Sequence, residues 1–308
     1  MKKLFWIFLV IISCSVSYGE NFLLTTYIVN EPGSPLAIVV PQNIPSNYFV
    51  KVSFDTNLIF KFYHVFGQSV SIIPTPVLYG KSNLNIYVYR DNEEVFSTNV
   101  VLEYVGKKRK VFKLNLTETS KNILKDSKRI EEDRKYLLHT ITSSTPVYFY
   151  PSELKPFILP STNNITSPFG LLRKYSNGKI NYHKGVDFSF TPDDNVYAAN
   201  DGIVLVSSNF VANGKSVYIY HGLGIITSYF HLDEVYVKEG DYVKRGLVIG
   251  KIGETGIVTG RHLHFGVYIY GSNGYVAVDP ISSIKFFNEI ISGKSLVKKD
   301  ENLGKKYE

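Results

Sequence analysis

The chain is 308 residues long and carries 34 basic and 27 acidic side chains, which gives a formal charge of +7. A content of 44% hydrophobic and 20% charged residues is typical of a folded globular protein and excludes a largely disordered chain. The basic excess suits an anionic polymer or surface. However, the sequence shows no basic run with interleaved aromatic residues and no nucleic-acid motif, so we expect no nucleic-acid partner.

The first residues have the layout of a secretory leader. Two lysines precede an apolar run at 4–12 that is too short for a comfortable membrane span. Two processing sites compete. A small-x-small triplet at 17–19 predicts a signal peptide of residues 1–19, whereas a lipobox-like stretch ending at Cys14 predicts a leader of residues 1–13 and membrane attachment through a lipidated Cys14. Both outcomes place the protein outside the cytoplasm, in the periplasm or cell envelope.

Residues 20–116 have the pattern of a β-sandwich-like domain. Short alternating strands rich in aromatic and β-branched residues, such as YFVKVSF and LNIYVYR, are separated by turn-rich pieces such as NEPGSP and YGKSN. Many short strands with turns between them are typical of a sandwich. No cluster of chemically active residues stands out in this region.

The pattern changes at residues 117–164, which we interpret as a helical and proline-rich linker. Apolar residues recur at helical spacing from Thr117 to Ile141 and predict one amphipathic helix with a charged outer face. Residues 165–281 again predict strands, and residues 282–308 form a tail with one apolar stretch, IKFFNEII, and a frayed charged end. The predicted fold class is therefore all-β.

Histidines concentrate in this last strand-rich region, where five of the seven in the chain lie between His183 and His264. In HLHFG, His262 and His264 stand two residues apart on a predicted strand, so both imidazoles point to the same face. The sequence HKGVD adds a carboxylate, Asp187, four residues after His183. Imidazole nitrogen and carboxylate oxygen are both good zinc ligands, although the His-x-x-x-Asp spacing is a weak signal alone.

A catalytic zinc site needs three protein ligands and one open position. His183, Asp187 and one member of the HLH pair, His262 or His264, supply the three ligands. The other imidazole then remains free for proton transfer or charge stabilisation. His231, in SYFHLD, is a second candidate for acid–base work beside the metal.

The segments HKGVD, SYFHLD and TGRHLHFG, in this order, resemble the lysostaphin/LytM-type zinc endopeptidases of bacterial cell walls. The resemblance covers about residues 167–280, and it extends to SPFGLLRKY at the start of this stretch and to the glycine-rich VKEGDYVKRGLVIGKIGETG. It implies that residues 165–281 form a zinc metallopeptidase domain built of antiparallel β-sheet. The upstream sandwich and helix resemble, more weakly, the non-catalytic region that often precedes such a domain.

Carried over by position, the resemblance implies one Zn²⁺ per chain, bound by His183, Asp187 and His264. It implies that His231 and His262 are the unligated catalytic pair. One of them takes a proton from water and returns it to the leaving amine, and the other stabilises the oxyanion. The assignment of these two roles stays open. The implied substrate is the peptide part of peptidoglycan, and the bond that is cut also stays open.

Three further residues have counterparts in the family. Arg173 corresponds to a frequent arginine to which we assign no role. Arg261 stands where the family often has proline, and His221 lies in a His-Gly turn that is not expected to bind the metal.

Three other functions compete with an endopeptidase. The first is a catalytically inactive regulator of the same fold that binds the cell wall or activates amidases, but such proteins typically lack some ligands, and here all five positions are filled. The second is a lipoyl-type adaptor, which VKEGDYVKRGLVIGKI resembles but which has no use for converging imidazoles. The third is a glycosidase, which requires two paired carboxylates that the sequence does not show.

Overall fold

The computed structural model describes residues 12–15, 21–26, 33–40, 42–53, 57–75, 77, 80–104, 111–144, 155–272 and 274–292. The chain is mostly β, as predicted. Most of the predicted leader, at 1–11 and 16–19, and the charged end of the predicted tail, at 293–308, lie outside the described residues. Within the described ranges, no helix is both long enough and apolar enough to cross a membrane.

Two antiparallel sheets form the N-terminal part of the molecule. Their strands, in chain order, are β1 (Ile12–Ser15), β2 (Asn21–Thr26), β3 (Leu36–Val40), β4 (Tyr48–Ser53), β5 (Asn57–Lys61), β6 (Tyr63–Val65), β7 (Gln68–Ile73), β8 (Gly80–Arg90) and β9 (Glu93–Tyr104). One sheet has the order β1-β2-β3-β7-β6 and the other the order β5-β4-β8-β9. Strand β4 has the alternating burial of a strand with one face in the core, since Tyr48, Val50 and Val52 are buried and the residues between them are less buried. Buried side chains of both sheets belong to one hydrophobic cluster, in keeping with the predicted sandwich.

The predicted linker helix is two helices. After a short strand, β10 (Val111–Lys113), the chain forms α1 (Glu118–Lys125) and α2 (Ser127–Ser144). The break falls at Asp126, whose backbone is not helical (φ −87°, ψ 63°), and its carboxylate accepts a hydrogen bond from the Arg129 N–H at 3.1 Å. An aspartate that caps the next helix competes with continuation of the first one, which apolar spacing alone does not reveal.

The C-terminal part contains a three-stranded sheet and a ten-stranded sheet. Its strands are β11 (Ile165–Ser167), β12 (Leu172–Lys174), β13 (Ile180–Tyr182), β14 (Val186–Ser189), β15 (Asn195–Tyr197), β16 (Gly202–Phe210), β17 (Gly214–Tyr220), β18 (Ile225–Val235), β19 (Tyr242–Val243), β20 (Val248–Ile252), β21 (His262–Gly271) and β22 (Gly274–Val278). Strands β10, β12 and β13 form the three-stranded sheet in that order. The large sheet has the order β11-β14-β21-β18-β17-β16-β19; β20 pairs with β18 and with β15, and β22 pairs with β21.

Both faces of the large sheet are covered at its centre. Leu263 and Phe265 of β21 belong to the main hydrophobic cluster, whereas Phe230 of β18 belongs to a second cluster with Leu137 and Ile141 of helix α2. The predicted alternation of HLHFG is therefore present, with its leucine and phenylalanine directed into the core and its histidines on the other face. This cover holds the histidine-bearing strands in fixed positions.

The first half of the predicted tail is a core element. Residues Pro280–Ile291 form helix α3, which begins with Asp279 as N-cap: its carboxylate accepts hydrogen bonds from the N–H groups of Ile281 at 2.8 Å and Ser282 at 3.1 Å. Phe286 and Phe287 are buried in the main cluster. The apolar stretch that we placed in a tail thus closes the core of the C-terminal part.

The two parts of the chain touch through backbone hydrogen bonds. The Asp279 N–H donates to the Gly33 carbonyl at 2.9 Å, and the Ser272 N–H donates to the Ile59 carbonyl at 2.9 Å. Gly33 has a φ of +84°, and a Cβ there would lie 2.4 Å from the Phe169 ring, so only glycine fits this contact. The N-terminal sheets are therefore packed onto the end of the β21–β22 hairpin.

Candidate metal centre

His183, Asp187 and His264 meet at one point of the large sheet. His183 precedes β14, Asp187 lies on β14, and His264 lies on β21, directly opposite Asp187 in the antiparallel register. One ligand atom from each residue lies within 4.8 Å of the others, and all three residues are buried. The His183 Nε2 is 3.0 Å and the His264 Nδ1 is 2.9 Å from Asp187 Oδ1. The structure thus brings together the three predicted ligands, and they form a candidate metal site.

The orientations of the candidate ligands His183 and Asp187 are each set by a second contact. The Nδ1 of His183 donates to the Pro168 carbonyl at 2.9 Å, so its Nε2 carries the lone pair that faces Asp187 and His264. The Arg173 guanidinium donates to Asp187 Oδ2 and, at 2.7 Å, to Ser167 Oγ. Arg173, to which the sequence assigned no role, therefore fixes the carboxylate so that its other oxygen faces the imidazoles.

Gly185 explains the glycine in HKGVD. A Cβ at this position would lie 2.4 Å from the Phe265 carbonyl oxygen and 2.6 Å from His264 Nε2. Any side chain would therefore push the His264 ring or the β21 backbone out of place. The glycine is required because the loop that carries His183 passes directly over the His264 imidazole.

His231 and His262 lie beside this cluster. Their ring centroids are 4.8 Å apart, and the His231 ring is 6.1 Å from that of His264. The Nδ1 of His231 donates to the Thr255 carbonyl and the Nδ1 of His262 donates to the Gly260 carbonyl, both at 2.8 Å. Each ring therefore keeps Nε2 available, and His262 Nε2 is 3.7 Å from Asp187 Oδ1. The structure brings the two predicted catalytic residues next to the candidate metal site.

The backbone of His231 adopts an unusual conformation. Its φ is +64°, in the left-handed region that few residues other than glycine occupy. The residue lies where the pairing of β17 with β18 shifts register, and its N–H donates to the Asn213 carbonyl at 3.0 Å. A bulge with a strained backbone is a common way to re-aim a side chain at a functional site, and here the bulge turns His231 toward His262.

The protonation states suit a cation. Burial lowers the pKa of His183 and His264, that of His264 to about 4, and burial together with the nearby imidazoles lowers the pKa of His231. Burial raises the pKa of Asp187, but the close contacts with His183 and His264 outweigh it and hold this pKa well below its usual range. An ionised carboxylate beside neutral imidazoles is the form in which these groups bind metal.

Sequence reasoning missed Thr255 and the contacts of Arg261, both of which support the site. Thr255 holds His231 through its carbonyl, and its Oγ1 donates to the Leu232 carbonyl at 2.9 Å. The Arg261 guanidinium donates to the Ile252 carbonyl and forms an ion pair with Asp233 at 2.8 Å. These contacts join residues on different strands and loops, so no pattern within one segment of the sequence predicts them. The Arg173 segment was noticed, but only through family resemblance.

Comparison with known proteins identifies the fold family of this region. The profile of Peptidase family M23 matches residues 181–280, a stretch that contains every predicted ligand and catalytic residue. The chain contains a peptidase family M23 domain. The family consists of metallopeptidases, in agreement with the candidate metal site.

Two curated relatives from Vibrio cholerae are similar to part of the chain. Peptidoglycan DD-endopeptidase ShyC is 44% identical over 94 residues, which are 30% of this chain and 22% of the relative. Peptidoglycan DD-endopeptidase ShyA is 42% identical over 89 residues, which are 29% of this chain and 21% of the relative. The chain thus spans between a fifth and a quarter of the length of these two relatives.

A solved structure from Pseudomonas aeruginosa, assigned to peptidase M23, matches more of the chain. It has a TM-score of 0.55 and 19% sequence identity, and the match covers 84% of this chain and 95% of that one. The match extends well beyond the M23 domain, and it shows that the overall fold, including N-terminal elements, occurs in another protein.

Proposed function

We propose that this protein is an exported zinc-dependent endopeptidase that hydrolyses peptide bonds in peptidoglycan, with one Zn²⁺ per chain. One observation carries the proposal: His183, Asp187 and His264 present three converging ligand atoms, and two further imidazoles with available Nε2 atoms lie beside them. We further propose residues 165–281 as the peptidase domain and residues 20–116 and 117–164 as the sandwich-like domain and linker that precede it.

The donor set fits zinc. Two imidazole nitrogens and one carboxylate oxygen are ligands that Zn²⁺ prefers, and three protein ligands leave a position for water, as catalytic zinc sites require. The acceptor atoms of His183, Asp187 and His264 lie 2.9 to 3.0 Å apart, a convergence of lone pairs that a cation would relieve. When bound, zinc supplies Lewis-acid chemistry, since it acidifies water and polarises a carbonyl group.

The chain's own residues supply the proton transfers. His231 and His262 are both held through Nδ1, so each can accept and release a proton at Nε2. In the proposed reaction, one of them takes a proton from the attacking water and later delivers it to the leaving amine. The other, in its protonated form, stabilises the oxyanion of the tetrahedral state. The fixed rings avoid the cost of orienting these groups during the reaction.

The proposed substrate is based on the relatives, and the proposed location is based on the leader pattern. Both Vibrio cholerae relatives are named peptidoglycan DD-endopeptidases, and they are similar to this chain over 94 and 89 residues. A DD cross-link is therefore the bond that we propose for cleavage. The leader pattern supports export to the periplasm or cell envelope, by signal cleavage after residue 19 or by lipidation of Cys14.

Digestion of purified peptidoglycan tests the proposal. The full chain, loaded with zinc, should release peptide fragments whose masses report a cut cross-link, and a chelator should abolish their release. A His64→Ala variant provides the matched control, since His64 is an exposed histidine of β6. If the zinc-loaded protein binds peptidoglycan but releases no fragments, the protein is a regulator of the same fold and the endopeptidase proposal is wrong.

A further inference from the structure

The loop between β20 and β21, residues 253–261, holds both candidate catalytic imidazoles. The Thr255 carbonyl accepts the Nδ1–H of His231 and the Gly260 carbonyl accepts the Nδ1–H of His262, both at 2.8 Å. Each ring is therefore aimed by a carbonyl group of this loop, and the positions of the two carbonyls decide where the Nε2 atoms lie. Whatever fixes the loop also fixes the geometry of the pair.

The first half of the loop is anchored within the M23 domain. Thr255 Oγ1 accepts a hydrogen bond from the Lys215 N–H and donates one to the Leu232 carbonyl, both at 2.9 Å. The Ile257 N–H donates to the Ala212 carbonyl at 2.8 Å. These contacts hold this half of the loop, and with it the acceptor of the first imidazole, against strands β17 and β18 and the turn between β16 and β17.

The second half of the loop is held by the linker. Ser120 of α1 is fully buried, and its Oγ donates to the Val258 carbonyl at 2.9 Å and accepts from the Val258 N–H at 3.0 Å. Within the described ranges, these hydrogen bonds and that of His262 are the ones that reach the backbone of residues 258–260 from elsewhere in the chain. A Cβ added at Gly260 would have no neighbour within 4 Å, so the acceptor of His262 lies at an open point of the loop.

The start of α1 places the Ser120 hydroxyl. Thr117, the N-cap, accepts a hydrogen bond from the Ser120 N–H at 3.1 Å, and its own Oγ1 donates to Ser120 Oγ at 2.9 Å. Leu116 is buried just before the cap, and β10 pairs with β12 of the M23 domain. The Ser120 hydroxyl thus uses its donor and both of its acceptor positions, which leaves it one orientation.

We propose that Ser120 is a positioning residue for His262. Its hydroxyl fixes Val258, two residues before Gly260, and so holds the carbonyl group that orients the His262 ring. The inference rests on the proposed function only in taking His262 as catalytic, since the orientation of the ring does not depend on catalysis. The linker thereby takes part in the candidate active site through one hydroxyl group.

Exchange of the imidazole Nδ1–H protons with water tests the orientation directly. In the full chain with isotope-labelled histidine, NMR spectra resolve the Nδ1–H signals of His231 and His262, each assigned by its loss in the corresponding alanine variant. Ser120→Ala should speed the exchange of the His262 signal about tenfold, because the loop opens more often at Gly260, and should leave the His231 signal unchanged. His231 is therefore the reference within the same sample.

Two further variants bracket this substitution. Asn122→Ala, at an exposed position of the same helix, should match wild type at both signals. Ser120→Cys nearly keeps the size of the side chain and retains a weak donor and acceptor, so exchange at His262 should rise less than in Ser120→Ala. If Ser120→Ala does not fold, Ser120→Cys supplies the comparison of His262 with His231.

Cleavage kinetics measure the consequence for the reaction. On the zinc-loaded full chain, Ser120→Ala should lower kcat about three- to tenfold and leave KM unchanged, because a misoriented His262 ring impairs proton transfer and not substrate binding. Selective acceleration of exchange at His262 without a fall in kcat of an active enzyme would overturn the proposal, since the orientation would then not matter for the reaction.

The exchange data also keep this inference separate from the proposed function. If exchange at His262 in Ser120→Ala matches wild type, or if exchange at His231 and His262 accelerates equally, the positioning role is wrong, and the endopeptidase proposal stands as long as wild type cleaves. If wild type cleaves nothing, the endopeptidase proposal fails. Selective acceleration at His262 then still supports Ser120 as the residue that orients this ring, and its absence overturns that role.

Discussion

Histidines in or next to the large sheet lie in two regions that differ in how many ring nitrogens the protein engages. At the candidate metal site, His183, His231 and His262 each donate Nδ1–H to a backbone carbonyl and keep Nε2 available. At the end of β17, His221 uses both nitrogens, since Nδ1 contacts the Asp201 carbonyl at 2.8 Å and Nε2 contacts Thr227 Oγ1 at 2.7 Å. His221 has no atom left for chemistry.

The difference teaches how to separate functional from structural histidines. Burial does not separate them, because His183, His221 and His231 are all buried. The number of nitrogens already satisfied by the protein does separate them. The same criterion explains why the family-based expectation that His221 binds no metal agrees with its hydrogen bonding. Four substitutions test this contrast, in order of decreasing effect.

His231→Ala tests the catalytic side of the contrast. Removal of a general acid–base group should lower kcat by about 10² to 10⁴, while the bound zinc is retained because His231 is not among the three ligands. Turnover and metal content measured on the same sample check both parts. A His231→Ala variant without zinc would contradict the division between ligands and catalytic residues.

Arg173→Ala tests whether the orientation of the Asp187 carboxylate depends on its hydrogen bond from Arg173. Without the guanidinium, Asp187 loses the contact to Oδ2 that orients it, so zinc affinity should fall by about 10- to 100-fold. Competition with a chromophoric chelator measures the affinity. Lys174→Ala, at the exposed neighbouring position, should bind zinc like wild type. Equal affinity of Arg173→Ala and Lys174→Ala would show that the carboxylate needs no such support.

His221→Asn tests the structural side through pH dependence. Burial lowers the pKa of His221 to about 4, from 6.5 in the unfolded chain. Between these values the unfolded state binds more protons, so the free energy of unfolding falls as the pH falls below about 6.5. At pH 5 this amounts to about 2 kcal/mol. Denaturant unfolding at pH 7 and pH 5 should show a smaller loss for His221→Asn than for wild type.

Val217→Ala serves as the control for that measurement. It destabilises the same buried strand without removing a titratable group, so it should keep the wild-type dependence on pH. If Val217→Ala and His221→Asn flatten the pH dependence to the same extent, the effect arises from lower stability and not from the imidazole.

Arg261→Ala should have the smallest effect. The guanidinium ties the residue before His262 to the Ile252 carbonyl and to Asp233, and it lies 4.3 Å from the centroid of the Phe190 ring. Because the side chain is partly exposed, loss of these contacts should lower kcat by about three- to fivefold and leave zinc content unchanged. A loss as large as that of His231→Ala would mean that Arg261 takes part in the reaction directly.

The sequence predicted the site better than it predicted the packing around it. The candidate ligands in HKGVD and HLHFG could be predicted because strand alternation and the order of family motifs are local properties of the sequence. The apolar periodicity of the sequence did not predict the helix break at Asp126 or the burial of α3 in the core. Helix capping and tertiary packing decide these features, and periodicity does not report them. The partners of Arg173 and Ser120 escaped because those contacts join distant segments. The domain boundaries stay predictions.

The metal content of the purified full chain tests the central claim most directly. After dialysis against zinc and removal of the excess, elemental analysis should find one zinc per chain in wild type and in His231→Ala, and none in His264→Ala. Wild type without zinc, or His264→Ala with the full complement, would contradict the account that His183, Asp187 and His264 form the metal centre.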